Sequence, residues 1–486
     1  MSHHTTVDSG EERHFKRSVS NLGVFCLGFG SMIGFGWIVL TGGWISEAGA
    51  GGAALAFLIG GGMMALVGLV YGELASAMPL AGGEHNYLLR GFGPRLALLG
   101  SWGIIGGYVT VSMFQSVAVP RAVNYLFPDL SQIPMYSIGG EPVYLTWALV
   151  GTATAVVLTW MNIRGMKGSS LFQTSIIMFL LLVAVIMLIS TLFAGKVENV
   201  QPVFANGSVG VVAVLVVVPF LFVGFDVIPQ SAEEANVPPR QLGKLILISV
   251  LGATAFYIVI VLTTAFAAPA DQISGFDLAT GDALAYMLDN DVWGHLVIAG
   301  GLAGVITTWN AFMVGASRLM WAMASCGMIP KWFGRMHPTN GTPVNALLFL
   351  GIVTGVAPFF GLAMLDWAVD AGGPSIVITY FMVALVFLIL RKREPDMERP
   401  MRVGRKGSTG VVVGVLAAAA TAGMLVLYVP GLPAQMGAAP WIIFAAWWIA
   451  GVIFALRLPG GIAPGHDAEE RLRVAIARRR EGSRQS

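Results

Sequence analysis

Long apolar runs recur along the chain, separated by short polar or charged stretches. Each run approaches the roughly 20 residues that a helix needs to cross a bilayer core. Twelve such spans are predicted, over residues 21–45, 52–77, 95–126, 143–163, 168–193, 209–231, 242–268, 293–326, 344–363, 374–391, 410–430 and 439–457. Residues 1–20 are polar, with His3, His4, Glu11, Glu12, Arg13, Lys16 and Arg17, and pass straight into a full-length span. That predicts a cytoplasmic N-terminal segment, not a cleaved leader. The stretch after Arg457, residues 458–486, carries Arg471, Arg473 and Arg478 to Arg480. It predicts a charged cytoplasmic tail, too small for a catalytic domain.

Composition narrows the class. Of 486 residues, 56% are hydrophobic and only 11% charged. Soluble domains usually carry about a quarter charged residues, so a disordered, nucleic-acid-binding or ordinary cytosolic protein is excluded. What remains is an all-α, multi-pass membrane protein. The two cysteines, Cys26 and Cys326, lie in apolar stretches and read as buried free thiols, with no disulfide or metal spacing.

Lys and Arg are unevenly placed. If both termini are cytoplasmic, the inner segments hold Arg90 and Arg95, Arg164 and Lys167, Arg240 and Lys244, Lys331 and Arg335, and the run from Arg391 to Lys406. Only Arg121 and Lys196 fall outside, whereas one outer loop carries Asp271, Asp277, Asp282, Asp289 and Asp291 with no base. A wrong span count would scramble this separation, so the charges support twelve spans with both ends inside. Topology alone accounts for the basic blocks.

Two spans are unlike the rest. Span 1 contains Gly28-Phe29-Gly30-Ser31-Met32-Ile33-Gly34-Phe35-Gly36-Trp37, with glycines too dense for a single packing stripe. Span 6 reads Pro219-Phe220-Leu221-Phe222-Val223-Gly224-Phe225-Asp226-Val227-Ile228-Pro229. Its prolines, its central glycine and a carboxylate predict a second break. Irregular backbone at membrane depth survives only where it lines a cavity or is buried in protein. Interruptions at matching places in two five-span halves point to a transport site at the midplane. Residues 21–193 and 209–391 would be the inverted repeats of a ten-helix core, with 410–457 supplying two further helices. Free N–H groups at one broken end suit a carboxylate, and free carbonyls at another suit an ammonium or a metal cation. An α-amino acid presents both charges on one carbon.

Five stretches resemble the amino acid–polyamine–organocation superfamily, whose members share the leucine-transporter fold. They are Ser31-Met32-Ile33-Gly34-Phe35-Gly36; Met78-Pro79-Leu80-Ala81-Gly82-Gly83 with Tyr87; and Asn162-Ile163-Arg164-Gly165-Met166-Lys167. The others are Gly224-Phe225-Asp226 followed by Ala232-Glu233-Glu234, and Gly315-Ala316-Ser317-Arg318 with Met323 and Gly327-Met328-Ile329-Pro330. The resemblance covers about residues 20–400.

It implies a substrate site on the two breaks. The carboxylate would meet N–H groups around Gly34, Phe35 and Gly36, and the amino group would meet carbonyls of Met32, Phe220 and Val223. Phe220 would be an aromatic lid, the alternative being an ordinary core aromatic. Asp226 sits where relatives carry an acid linked to proton coupling or gating. An ionisable group at mid-membrane costs roughly 3 kcal/mol or more, so it needs a partner or a proton, or else caps the broken helix.

The coupling ion departs from proton-driven relatives that carry a lysine midway along span 5, for Phe172 to Leu180 contain none. Thr307 and Thr308 stand where sodium-coupled members keep hydroxyls. With carbonyls of Gly30, Ile33 and Gly304 they would form a five-oxygen cage, so sodium is favoured over a proton. Arg318 would form an inner-gate ion pair with Glu73, Glu233 or Glu234, the gating set being Phe220, Arg318 and Glu233. His85 replaces an aromatic usual in the family and reads as a loop contact, while Trp309 and Asn310 either face the cavity or pack.

The sequence thus predicts a secondary carrier of a neutral amino acid across a bacterial plasma membrane, working by alternating access without a cofactor beyond a possible sodium ion. Polyamines or other organic amines are the alternative substrates. A membrane enzyme or sensor is the alternative class, but no Ser-His-Asp, metal-ligand or phosphate-loop pattern is present and no strand precedes Gly28-Phe29-Gly30.

Overall fold

A computed structural model of the chain describes residues 19–80, 82–165, 170–230, 232, 235–404, 408–432 and 434–485. The helices run in the order α1 (Asn21–Met32), α2 (Gly36–Val39), α3 (Thr41–Ala77), α4 (Glu84–Phe92), α5 (Pro94–Leu126), α6 (Leu145–Ile163) and α7 (Ser170–Ala194). Then come α8 (Gly207–Leu215), α9 (Val218–Phe222), α10 (Val227–Gln230), α11 (Pro239–Ala267), α12 (Ala270–Ile273), α13 (Ala279–Leu288) and α14 (Asp291–Ser325). The chain finishes with α15 (Val344–Val356), α16 (Ala363–Arg393), α17 (Thr409–Leu427), α18 (Ala438–Arg457) and α19 (Ala468–Gln485).

Among the described residues, ten segments are long and apolar enough to cross a membrane, and Asn21–Met32 and Val344–Phe360 are shorter apolar helices. Large apolar side chains such as Phe193, Leu192 and Ile442 point outward from the bundle. A water-soluble monomer does not tolerate such a surface; lipid covers it.

The helix ends depart from the pattern in three places. α3 runs through the predicted loop after residue 45, and the turn falls instead on Gly49, whose φ of 73° only glycine adopts without strain. α16 starts eleven residues before the predicted 374, because Pro374 lies inside the helix instead of opening it. The loop after α5 folds into an antiparallel hairpin, Pro134–Ile138 with Glu141–Tyr144, turned by Gly139 and Gly140 at positive φ.

Ion pairs close both ends of the bundle. At one end of the bundle the Arg121 guanidinium Nε lies 3.2 Å from Asp277 Oδ1. At the other, Arg90 Nε lies 3.0 Å from Glu394 Oε1. Beside it, fully buried Glu73 accepts from Arg391 Nε at 2.9 Å, pairs with Arg399 Nε at 3.1 Å and accepts from the Val403 N–H at 2.7 Å. This cluster binds the end of α3 to the end of α16 and the segment after it.

Candidate functional site

α1 and α2 are separated by Ile33, Gly34 and Phe35, which are not helical. Ile33 closes α1 by donating its N–H to the Phe29 carbonyl. Among the described residues, no acceptor within the protein meets the N–H groups of Gly34, Phe35 or Gly36. They open a helical stretch that continues through Leu40, whose N–H donates to Gly36, into α3. These are the orphan donors that a helix start always leaves, here with the positive end of the helix dipole behind them.

The second break lies between α9 and α10, over residues 223–226. Gly224 has φ of 130° and presses on α1: a Cβ added to it would stand 2.7 Å from Ser31 Cβ and 3.1 Å from the Met32 nitrogen. Glycines of α1, the first break and the start of α2 each meet a different neighbour. A Cβ on Gly28 would strike Ile228, one on Gly30 Ile177, one on Gly34 Gln115, and one on Gly36 Leu221. No single stripe could do this; the backbone is approached from several sides.

Between the breaks lies a cavity of about 20 Å³, whose walls include Gly34, Gly36, Gln115, Phe220, Tyr257 and Thr308. That is room for roughly one water molecule. Met32 and Val223 also line it, and among the described residues no charged side chain does. Phe220 forms one wall and meets Phe114 edge-on, with ring centroids 5.7 Å apart. The Met32 carbonyl already accepts from Tyr257 Oη at 2.9 Å, whereas among the described residues no donor within the protein reaches the carbonyls of Phe220 or Val223.

Asp226, expected in this cavity, is not part of its wall. Its carboxylate turns toward α5, where Oδ2 accepts from Tyr108 Oη at 2.7 Å, while Oδ1 accepts from the Gly224 N–H at 2.7 Å. It therefore holds the break closed from within and reaches across to α5. Gln230 Nε2 donates to Tyr108 Oη at 2.6 Å and to Glu84 Oε1 at 3.0 Å. All four side chains are buried.

The five expected sodium ligands come together only in part. Thr308 Oγ1 donates to the Gly30 carbonyl at 2.8 Å, joining α14 to α1. The Ile33 carbonyl oxygen would lie 3.7 Å from a Cβ on Gly304. Thr307 Oγ1 donates to the Gly304 carbonyl of its own helix at 2.8 Å, and its side chain is half-buried. Both hydroxyls thus spend their hydrogens on two of the carbonyls expected to face an ion.

Glu73 is not the partner of Arg318, because Arg391 and Arg399 hold it. Glu233 and Glu234 lie outside the described residues, as does Lys167. His85 Nδ1 meets Ser101 Oγ at 2.9 Å, a packing contact. Trp309 is fully buried outside the cavity wall, and Asn310 Oδ1 accepts from Asn162 Nδ2 at 2.8 Å. Both pack.

Gln115, Tyr257, Tyr108 and Gln230 belong to the site and were not singled out in the sequence. A signal existed for two of them. Gln115 and Gln230 are amides within apolar runs, and the cost argument that picked out Asp226 applies to them in weaker form.

The amino acid permease family model matches residues 19–459. A methylthioribose transporter of Bacillus subtilis is 24% identical over 92% of this chain and 95% of its own length. A branched-chain amino acid permease of the same organism is 26% identical over 91% and 93%. Its aspartate-proton symporter is 26% identical over 80% and 76%. These relatives are transporters and not enzymes.

Proposed function

The chain belongs to the amino acid permease family, and on that premise we propose that it carries a neutral α-amino acid across the plasma membrane by alternating access. In this reading the chain has twelve spans with both termini cytoplasmic, and the breaks at residues 33–35 and 223–226, as matched interruptions of two inverted repeats, would lie at the midplane. The observation that carries the reading is the row of N–H groups at Gly34, Phe35 and Gly36 with no acceptor among the described residues, beside a cavity walled by no charged side chain among them. The row binds the substrate carboxylate through backbone donors and the helix dipole. Carbonyls of Phe220 and Val223 receive the ammonium. Met32, Phe220 and Val223 leave the amino acid side chain an apolar environment, which disfavours a polyamine. A cavity of about 20 Å³ must expand to admit an amino acid, so binding and opening are one process.

The coupling ion in this reading is a proton, in preference to the sodium that the sequence favours. Asp226 is buried and is held by hydrogen-bond donors, not by a cation, among the described residues. One relative is an aspartate-proton symporter by name. Sodium is the second reading, and the contact between Thr308 and Gly30 favours it, since it brings two of the five expected ligands together.

A thermal-shift screen of the twenty amino acids and several polyamines tests the substrate class. Stabilisation by small or branched neutral amino acids is expected. Stabilisation by polyamines alone would refute the site as described.

A further inference from the structure

The cavity between the breaks leaves one buried ionisable group unexplained. Glu84 opens α4, the short helix after the Gly82-Gly83 turn, and its side chain has no exposed surface. One carboxyl oxygen accepts from Gln230 Nε2; among the described residues the other, Oε2, has no hydrogen-bond partner. Among the described residues no Lys, Arg or His lies within ion-pair distance of either Glu84 or Asp226. A buried carboxylate without a cation is expensive, and a proton removes the charge.

The surroundings work the same way. Glu84 faces Tyr71 on α3, Tyr108 on α5, Asp226 and Gln230 at the second break, and Tyr380 on α16, with Tyr87 and His85 on its own helix. Among the described residues the Oη atoms of Tyr71 and Tyr87 have no hydrogen-bond partner, while Tyr380 Oη faces Asp226. His85 is spent on Ser101, and burial holds its imidazole down at about 4, so it stays neutral. α19 brings Glu469, paired with Arg473, toward His85. Arg90 and Arg393 sit at the other end of α4, engaged with Glu394 and the Gly91 carbonyl. The first turn of α4 favours an ionised carboxylate, yet burial, followed by the Asp226 charge, outweighs it and raises Glu84 well above the usual carboxylate range.

We propose that Glu84 carries the coupling proton of the transport cycle, holding it while the site is closed and releasing it to cytoplasmic water when α4 and α10 part. This rests on the proton-coupled reading above. In the closed arrangement Gln230 Nε2 donates to both Glu84 and Tyr108, and Tyr108 donates to Asp226. One proton then serves two carboxyls: Asp226 is ionised, stabilised by the Tyr108 hydroxyl and the Gly224 N–H, and Glu84 is neutral. On opening, the O–H bond of Glu84 breaks, the proton passes to water, and the carboxylate left behind is solvated.

The release is tied to movement by packing. A Cβ on Gly83 would stand 3.2 Å from Gln230 Cγ and 3.3 Å from the Gln230 nitrogen, so the turn before Glu84 rests directly on the end of span 6. Separating them removes the hydrogen bond that Gln230 Nε2 donates to Glu84 Oε1. Glu84 does not line the substrate cavity, so it acts through Gln230 and Tyr108 and not by touching substrate.

The test uses the full chain in liposomes, with radiolabelled leucine and alanine as probes. Accumulation driven by an imposed proton gradient, exchange between equal internal and external probe, and the probe-induced melting shift are measured for wild type and Glu84→Gln. Gln keeps an oxygen for Gln230 and has no proton to give. The expected result is loss of proton-driven accumulation by about tenfold or more, a size typical of coupling between sites, with exchange and the melting shift retained. Wild-type accumulation falls as pH rises and Glu84 deprotonates, whereas the Glu84→Gln variant is flat. Wild-type-like proton-driven accumulation in Glu84→Gln would overturn the proposal while leaving proton coupling intact. Loss of exchange as well would also overturn it, making Glu84 a structural group. Failure of the wild type itself to use a proton gradient would instead remove the reading on which the proposal stands.

Discussion

Gly224 and Ser31, nearly two hundred residues apart in the chain, meet where two helices break. A Cβ on Gly224 would lie 2.7 Å from Ser31 Cβ, and Gly224 adopts φ of 130°, a backbone conformation that side chains strain to reach. The second break therefore packs against the end of α1 only because Gly224 has no side chain. Gly224→Ala is expected to lose about 1–3 kcal/mol of stability from backbone strain, with more from the clash, and to lose uptake. A thermal melt in detergent with a parallel uptake assay checks this. A wild-type melt would mean that the two breaks are not in contact.

Tyr108 joins the second break to α5 through Asp226. Tyr108→Phe removes a hydrogen bond to a charged group, about 1.5–3 kcal/mol, and leaves Gln230 Nε2 with one acceptor fewer. The expected outcome is a lower melting temperature together with impaired gradient-driven uptake. Full uptake in this variant would detach Asp226 from the transport cycle.

Thr308→Ala separates the two coupling ions. Deleting the bond to the Gly30 carbonyl costs about 0.5–1.5 kcal/mol, and under proton coupling uptake persists in the absence of sodium. Abolition of uptake with little loss of stability would favour the cation cage instead.

The Glu73 cluster is structural and makes a different prediction. Glu73→Ala leaves Arg391 and Arg399 facing each other in a buried setting, and breaking one partner of such a group costs about 3–5 kcal/mol. A large fall in melting temperature is expected. Small change would mean that water reaches the two guanidinium groups.

How much of this was legible in the sequence follows from the range of each signal. Apolar run length is local, and it placed the long helices. Gly34 and Gly36 or Pro219, Gly224 and Pro229 weaken a helix by their own covalent chemistry, and residues 33–35 and 223–226 beside them are not helical. What stayed hidden were pairings between distant positions: Tyr108 with Asp226, Gln230 with Glu84, and Glu73 with Arg391 and Arg399. Nothing in a local pattern says that Asp226 turns away from the cavity. That depends on where α5 presents a phenol. Pro374 misled for a related reason, since proline marks a helix start only when no neighbouring helix supports the chain before it.

Uptake into proteoliposomes under separately imposed proton and sodium gradients tests the central claim most directly. A neutral amino acid should accumulate on an inwardly directed proton gradient with no sodium present. Accumulation that requires a sodium gradient, or no accumulation of any α-amino acid under either gradient, would contradict it.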